Sequence, residues 1–377
     1  MRSLNIRPTS QARRKGFSIR HIGSMSLAVA GALASIPAMA DAKPFRVSIV
    51  QALVAGEWNS EIRSGAEIAA KQFDFPVHIR TVGPENIDPP RQASIFMQEV
   101  QTAPDALIIN NVAGPVFEQP VGEAEANGSK VVWINSAPTA TFYNDFFVSA
   151  DPYDAGRKVA GILAAALGKR LGRPAADIAG DVVIGSCIPG LMVLENRVLG
   201  TRSALAAAMP KAHVLPTLQT NAERSRSFVI WNEAIRKAPN ALAYLDACEP
   251  GQVNIAKIIE DDHLSAVTVA YDAPEEIRDG IKRGTVLAAV PGAFFLQSYL
   301  AVHFAVQAIH GGKPLPHGWL RIVPPVIDPT NIEAFIKAWA EPQTGLPAFY
   351  KPQVDAALAK GVDAGLQPMG NYDNPVK

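Results

Sequence analysis

In the stretch 181–200, DVVIGSCIPGLMVLENRVLG, an apolar run (Val182, Val183, Ile184) ends at Gly185-Ser186-Cys187 and loops through Ile188-Pro189-Gly190. It then enters a helical pattern carrying Glu195, Asn196 and Arg197. A buried strand that ends in a glycine turn and feeds a helix puts that turn at the carboxyl end of a parallel sheet, where small ligands bind in open α/β folds. Arg197, on the first turns of the helix, can reach back over the turn with a planar fork of donors. The plainer alternative is a surface arginine whose stem lies on apolar neighbours. Asp272, in Tyr271-Asp272-Ala273-Pro274, is suited to accept from hydroxyl groups or to cap the helix that begins at Pro-Glu-Glu, and the two roles are compatible. Trp58 follows Ala55-Gly56-Glu57 at a loop-to-helix start, where an exposed ring stacks on the apolar face of a sugar-like ring; its alternative is core filling. Asn110 and Asn111 end an apolar strand on the same side, open to ligand contact or to turn chemistry. Trp133 and Trp231 read as packing.

Covalent chemistry finds little support. Cys187 or Ser186 could be imagined with His213 or His263 as a nucleophilic pair, but Ile184-Gly185-Ser186-Cys187-Ile188 has no G-x-S-x-G spacing. The seven histidines form no H-x-x-x-H or H-E-x-x-H pair and no phosphate loop occurs, so neither a metal nor a cofactor is expected, and the chain reads as a non-enzyme.

The elements that must hold these residues alternate. Residues 45–54, 77–82, 106–110 and 130–135 read as strands, separated by helical patterns at 59–73, 92–102 and 115–127, with a short crossing strand at 146–149. A second series follows: helices at 154–171, 194–208, 227–237, 253–261 and 274–283, and strands at 182–184, 213–218, 241–245, 266–271 and 286–290. A long helix over 293–310 ends at Gly311-Gly312, and the Pro-rich remainder carries helices at 332–339 and 354–360. Strand–helix alternation at this pace makes parallel sheets. The expected fold class is α/β, with two doubly wound parallel-sheet lobes facing each other.

With 377 residues, 48% apolar and 19% charged, the chain can form two sizeable cores, and a nucleic-acid binder is not suggested. Residues 1–40 hold six basic residues (Arg2, Arg7, Arg13, Arg14, Lys15, Arg20) and no acid, then an apolar run of small residues ending Ala38-Met39-Ala40. These are the parts of a secretory signal peptide, cleaved after about Ala40. Taking those six from the 35 basic residues leaves 29 against 35 acidic ones, net −6 for the remainder. No later apolar run spans a bilayer, so the expectation is a free exported protein without direct membrane insertion, in the periplasm of a Gram-negative cell.

Several stretches together resemble a known family. VSADPYDAGRKVAGIL, GDVVIGSCIPGLMVLENRVLG, VTVAYDAPEEIRDGIKRGTVLAAV and IVPPVIDPTNIEAF, in this order, resemble the crossing strand, arginine-bearing helix, cleft aspartate and final crossing of type I periplasmic binding proteins of the sugar-binding branch. The resemblance covers about residues 45–335. It implies a receptor that closes two lobes around a small polar solute (sugar, polyol or sugar-like compound), joined by a three-strand hinge near 148–151, 290–292 and 321–325. The solute would pass to an inner-membrane ABC permease; a sensor that presents its state to a membrane kinase or chemoreceptor is the alternative. The implied lobes are 45–147 plus 293–320, and 150–290 plus part of 321–377, with 328–377 longer than the family requires. The receptor would act as a monomer. A gene repressor is disfavoured, because the export segment stands where a DNA-binding helix pair would.

The ligand residues the resemblance implies are Trp58, Asn59, Asn135 or its neighbour Ser136, Arg197, Cys248 and Asp272, to which the strand-end reading adds Asn111. Cys248 falls where the family has an asparagine, Gly292 near its glutamine and Ala222 near its second aromatic, which argues against an ordinary pentose or hexose. Cys187 and Cys248 both end strands that a doubly wound order makes neighbours, and strands about 4.8 Å apart are compatible with a disulfide. The pair is either bridged or two buried thiols.

Overall fold

A computed structural model describes residues 43–112, 114–142, 145–373 and 375. The export segment expected at 1–40 lies outside the described residues.

The first lobe runs β1 (Phe45–Val50), α1 (Glu57–Ala70), β2 (Val77–Val82), α2 (Pro89–Gln101), β3 (Ala106–Asn111), α3 (Glu118–Ala126), β4 (Lys130–Asn135) and β5 (Phe146–Ala150). All six positions of β3 are buried, as a strand covered by helices on both faces requires. Asp88 caps α2 by accepting from the backbone of Arg91, with proline in its first turn. The helix expected over 115–127 is shorter: Gly114–Phe117 is a 3-10 turn and α3 starts at Glu118. Pro120 is the reason, since it has no N–H for an α-helical bond and its ring would clash with the carbonyl four residues back.

The second lobe runs α4 (Pro152–Leu171), β6 (Gly180–Ser186), α5 (Met192–Ala208), β7 (Ala212–Val214), β8 (Leu218–Gln219), α6 (Arg224–Lys237), β9 (Ala243–Asp246), α7 (Glu249–Asp261), β10 (Thr268–Ala270), α8 (Glu275–Arg283) and β11 (Val286–Ala289). The single strand expected at 213–218 is β7 and β8, both paired with β6. Pro216, between them, offers no donor to the ladder. The chain closes with α9 (Phe294–His310), β12 (Gly318–Ile322), α10 (Ile332–Ala340), α11 (Gly345–Lys360), β13 (Leu366–Gln367) and α12 (Gly370–Asp373).

In the seven-stranded first sheet the order is β13-β12-β5-β4-β3-β1-β2, parallel except for β13. In the second lobe β7 and β8 flank β6 on one side and β9 on the other. A parallel bridge from Ala243 to Val267 leads on to β10 and β11. Each lobe therefore repeats one doubly wound order, in which the strand order reverses between its first and third strands: β1/β3 and β6/β9. The crevice at that reversal, at the carboxyl ends, is where such sheets bind ligands. Three segments cross between the lobes: β5 into α4, β11 into α9, and β12 on to Ile327, which pairs with Ala289.

Two close helix crossings set the cleft walls. A Cβ on Gly156 of α4 would stand 2.2 Å from the carbonyl oxygen of Arg197, and one on Gly200 of α5 2.1 Å from that of Tyr153. Only glycine lets α4 and α5 approach so closely, and this contact holds the backbone of Arg197. On the other lobe Gly65 of α1 lies equally tight against Phe295 and Ser298 of α9.

Candidate functional site

Arg197 lies on the second turn of α5, its side chain 8% exposed. Its Nη1 donates to the carbonyl of Ala247 at 2.9 Å and to Asp272 Oδ2 at 3.4 Å, and the guanidinium sits 4.9 Å from the centre of the Tyr271 ring. Its Nε is buried without a hydrogen bond. Tyr271 is fixed in turn by Thr201, and burial pushes its phenol up to about 12, so it stays a neutral partner beneath the cation. Gln252 of α7 accepts from the backbone N–H groups of Tyr271 and Asp272, which locks the turn carrying the aspartate. Asp272 does not cap the next helix. Pro274 holds the N-cap position of α8 without a side-chain bond, and Asp272 stands two residues too early.

Next to this pair Cys187 and Cys248 are joined in a disulfide, their Cα atoms 6.0 Å apart, at the β6/β9 reversal. The Cys248 side chain is buried in that bridge and its sulfur faces the Cys187 N–H, so it offers a ligand no amide-like contact. Beneath, Asp246 accepts from the backbone of Cys248 at 2.8 Å and from Trp231 Nε1 at 2.7 Å, and burial pushes its carboxyl up to about 6.

The first lobe faces this with amides that serve one another. Asn111 Nδ2 donates to the carbonyls of Ser136 and Ala137 at 3.2 and 2.8 Å, and Asn135 Nδ2 to the carbonyl of Asn111 at 3.0 Å. Asn110 Nδ2 donates to Gln51 Oε1 at 3.2 Å. Asn135 has a left-handed φ of 74°, which an asparagine tolerates better than most residues. Its N–H is held by Gln297 Oε1 at 2.7 Å, while Gln297 Nε2 donates to the carbonyl of Gly292. Gln297, on α9, thus puts an amide beside Gly292. Asn59 is buried and donates to the carbonyl of Val54, so it ties its own loop. Trp58 is half-buried, edge-on to Phe294 at 5.2 Å and packed on a core cluster that takes in residues of both lobes.

The structure thus brings Asn135 and Arg197 to one cleft, with Asp272 on the arginine, while Asn59 and Cys248 turn inward. Sequence reasoning missed Glu57, Glu61, Gln297 and Arg278. Arg278 of α8 grips Glu57 of α1 from the opposite lobe, with Nη1–Oε2 at 2.5 Å and Nη2–Oε1 at 3.2 Å, and also donates to the carbonyl of Ala273. Glu61, three residues after Trp58, accepts from the N–H of Phe295 at 3.2 Å. Burial, with Asp272 and Glu57 nearby, pushes its carboxyl up to about 8. A signal was present: an unpaired acid on the apolar face of a helical pattern is unusual.

Asn135, Asp151, Val193, Arg197, Gly292 and Gln297 line a space of about 20 Å³ between the lobes. That is room for about one water. A wider depression of about 860 Å³, lined by Arg46, Lys71, His78 and Arg80, lies at the amino-terminal halves of β1 and β2. Ligands of such sheets sit at the other end, so the narrow cleft is the candidate site. Among the described residues no group of three His, Cys, Asp or Glu could hold a metal, and no helix is long and apolar enough to cross a membrane.

The fold is that of two-lobed periplasmic binding proteins. Residues 47–313 match the periplasmic binding protein domain family, and since that is most of the chain, the chain belongs to it. Among solved structures it is similar to an ABC transporter solute-binding protein from Burkholderia graminis in complex with D-arabinose (22% identity, 78% of this chain, 98% of that one, TM-score 0.67). It is also similar to one from Agrobacterium vitis bound to α-D-tagatopyranose (21%, 76%, 96%, 0.67). A third, from Actinobacillus succinogenes, carries D-allose (20%, 77%, 99%, 0.68). No curated protein matches.

Proposed function

We propose that this chain is an exported, periplasmic solute receptor that closes its lobes around a small polar solute and delivers it to an inner-membrane ABC permease. The observation that carries this reading is the Arg197–Asp272 pair on the floor of the second lobe, across the cleft from Asn135 and beside a hinge of three crossing segments. A guanidinium with a free donor next to a carboxylate with a free acceptor suits a polyhydroxy ligand, whose hydroxyls donate and accept at once. The three similar structures are named for sugars, which favours a sugar, polyol or sugar-like compound. The lobes are taken as 45–147 plus 293–320, and 150–290 plus part of 321–377. The tail beyond 328 belongs to neither alone. A space of one water must widen to take a pyranose, so binding requires a hinge motion in which the ligand supplies the differential affinity for the closed form.

The test is a thermal-shift panel of D-arabinose, D-allose, D-tagatose, polyols, small acids and aromatic solutes. A ligand that binds only the folded form raises Tm according to its concentration over Kd. At least one polyhydroxy compound should raise Tm in the wild type and raise it much less in Arg197→Ala. An undiminished shift in that variant would overturn the placement of the site.

A further inference from the structure

We propose that the C-terminal segment is a clasp across the two lobes, with Tyr372 as its catch, so that the cleft opens only when Tyr372 lets go of one lobe or the other.

The segment is fastened behind the hinge to both lobes. Glu333 of α10 pairs with Lys282 of α8 at 3.2 Å, and the Trp339 ring lies 5.2 Å from the Arg278 guanidinium. A few residues on, Gln343 bridges Lys71, just past α1, and Glu67 of α1 at 3.1 and 3.0 Å, and Tyr350 of α11 stacks on Phe295 of α9 at 5.4 Å. The chain then comes round to the other side. β13 pairs with β12, where a Cβ on Gly318 would stand 2.8 Å from the Gln367 carbonyl oxygen.

Here α12 enters between the lobes. The Tyr372 ring, 1% exposed, stands edge-on to Phe147 and Trp319 of the first lobe at 5.2 and 5.3 Å. Its hydroxyl donates to the carbonyl of Asn135 at 3.3 Å, and its own carbonyl accepts from Asn196 Nδ2 of the second lobe at 2.7 Å. Asn196 is the chain neighbour of Arg197, and Asn135 lines the cleft opposite. Met369 is buried in the same cluster, on which Met192, the first residue of α5, packs from the second lobe. Parting the lobes with Tyr372 in place would strip the Asn196 amide of its partner and uncover Met192 and Met369. Buried polar and apolar groups both resist that exposure. Tyr372 thus touches, through one residue on each side, both walls of the site.

The inference rests on the hinge reading above. Its test needs no ligand: spin labels at Asn127→Cys and Arg236→Cys, exposed positions on the first and second lobes, report the inter-lobe distance distribution by pulsed dipolar spectroscopy. The wild-type chain should give one short distance; Asn196→Ala and Tyr372→Ala should each add a longer population. Asn196→Ala leaves the tyrosine seated and decides the matter if Tyr372→Ala does not fold. An Asn196→Ala protein that is folded by circular dichroism and keeps the wild-type distribution overturns the clasp. A failure of the receptor reading would appear separately, as the absence of any sugar-dependent Tm shift in the wild type.

Discussion

The two walls of the cleft occupy equivalent places, the carboxyl ends of two sheets with one strand order, and they are built by opposite means. In the first lobe the polar side chains are mostly turned on one another: Asn110 on Gln51, Asn111 on the loop after β4, Asn135 on Asn111, Gln297 on Asn135, with Gln51 Nε2 and Asn110 Oδ1 left buried without a bond. In the second the loops after β6 and β9 are joined covalently by Cys187–Cys248, and the backbone around Asp272 is held by Gln252. With its loops held by other groups, the second wall leaves Arg197 and Asp272 with spare hydrogen-bonding capacity. A wall that stabilises itself with its amides has fewer of them for a ligand; a stapled wall keeps its charged groups for recognition.

Removing the staple is the harshest test of this contrast. Replacing both cysteines by serine frees a loop with a sequence separation of 61, and in the chain-entropy model this costs about 4 kcal/mol of stability, read by chemical denaturation. Next, Gly156→Val should cost about 3 kcal/mol, because its side chain would drive α4 into the carbonyl of Arg197; ligand affinity should fall with stability as the arginine is displaced. Arg197→Ala removes a charge-assisted contact to ligand, and calorimetry should show a loss of about 2 kcal/mol, roughly thirtyfold in Kd. Asn111→Ala acts on the other wall, with an expected loss of about 1 kcal/mol in stability and a smaller change in Kd than Arg197→Ala. An equal loss of affinity from Asn111→Ala would erase the distinction between the walls.

The gentlest test is pH. The Glu61 carboxyl is raised from 4.5 to about 8 in the fold, so between those values the folded chain holds a proton that the unfolded chain has released. Its contribution to stability therefore falls as pH rises through that window. Glu249, raised to about 7, adds to the same trend, so the Glu61 share is the difference between wild type and Glu61→Gln. The glutamine variant should show a flatter pH profile and a smaller loss of stability above pH 8, measured by urea denaturation across the range.

Much of the scaffold was legible because it is written in local patterns. Strand–helix alternation, glycine turns and apolar runs depend on neighbours a few residues apart, and they place the turn that leads to Arg197, and Asp272 itself, at the ends of parallel strands. The closeness of residues 187 and 248 was also readable, since a doubly wound order makes β6 and β9 neighbours. The asparagines were harder. Nothing local says that Asn59 turns to the Val54 carbonyl, or that Asn111 satisfies a loop 25 residues on. Proline carried a finer signal at 120 and 216, where a missing N–H trimmed a helix and split a strand.

By itself, then, the sequence determined the periodic elements, their parallel alternation in two series and the turn that carries the arginine, because those follow from chain stereochemistry and apolar spacing. Tertiary structure alone decided which polar groups are spent. Glu57 meets Arg278 from 221 residues away, Asn135 meets Gln297 from 162 and Tyr372 from 237. A buried amide or carboxylate must take whatever partner the folded chain brings within about 3 Å. That partner is set by how two lobes and a returning tail come together, which no local pattern encodes.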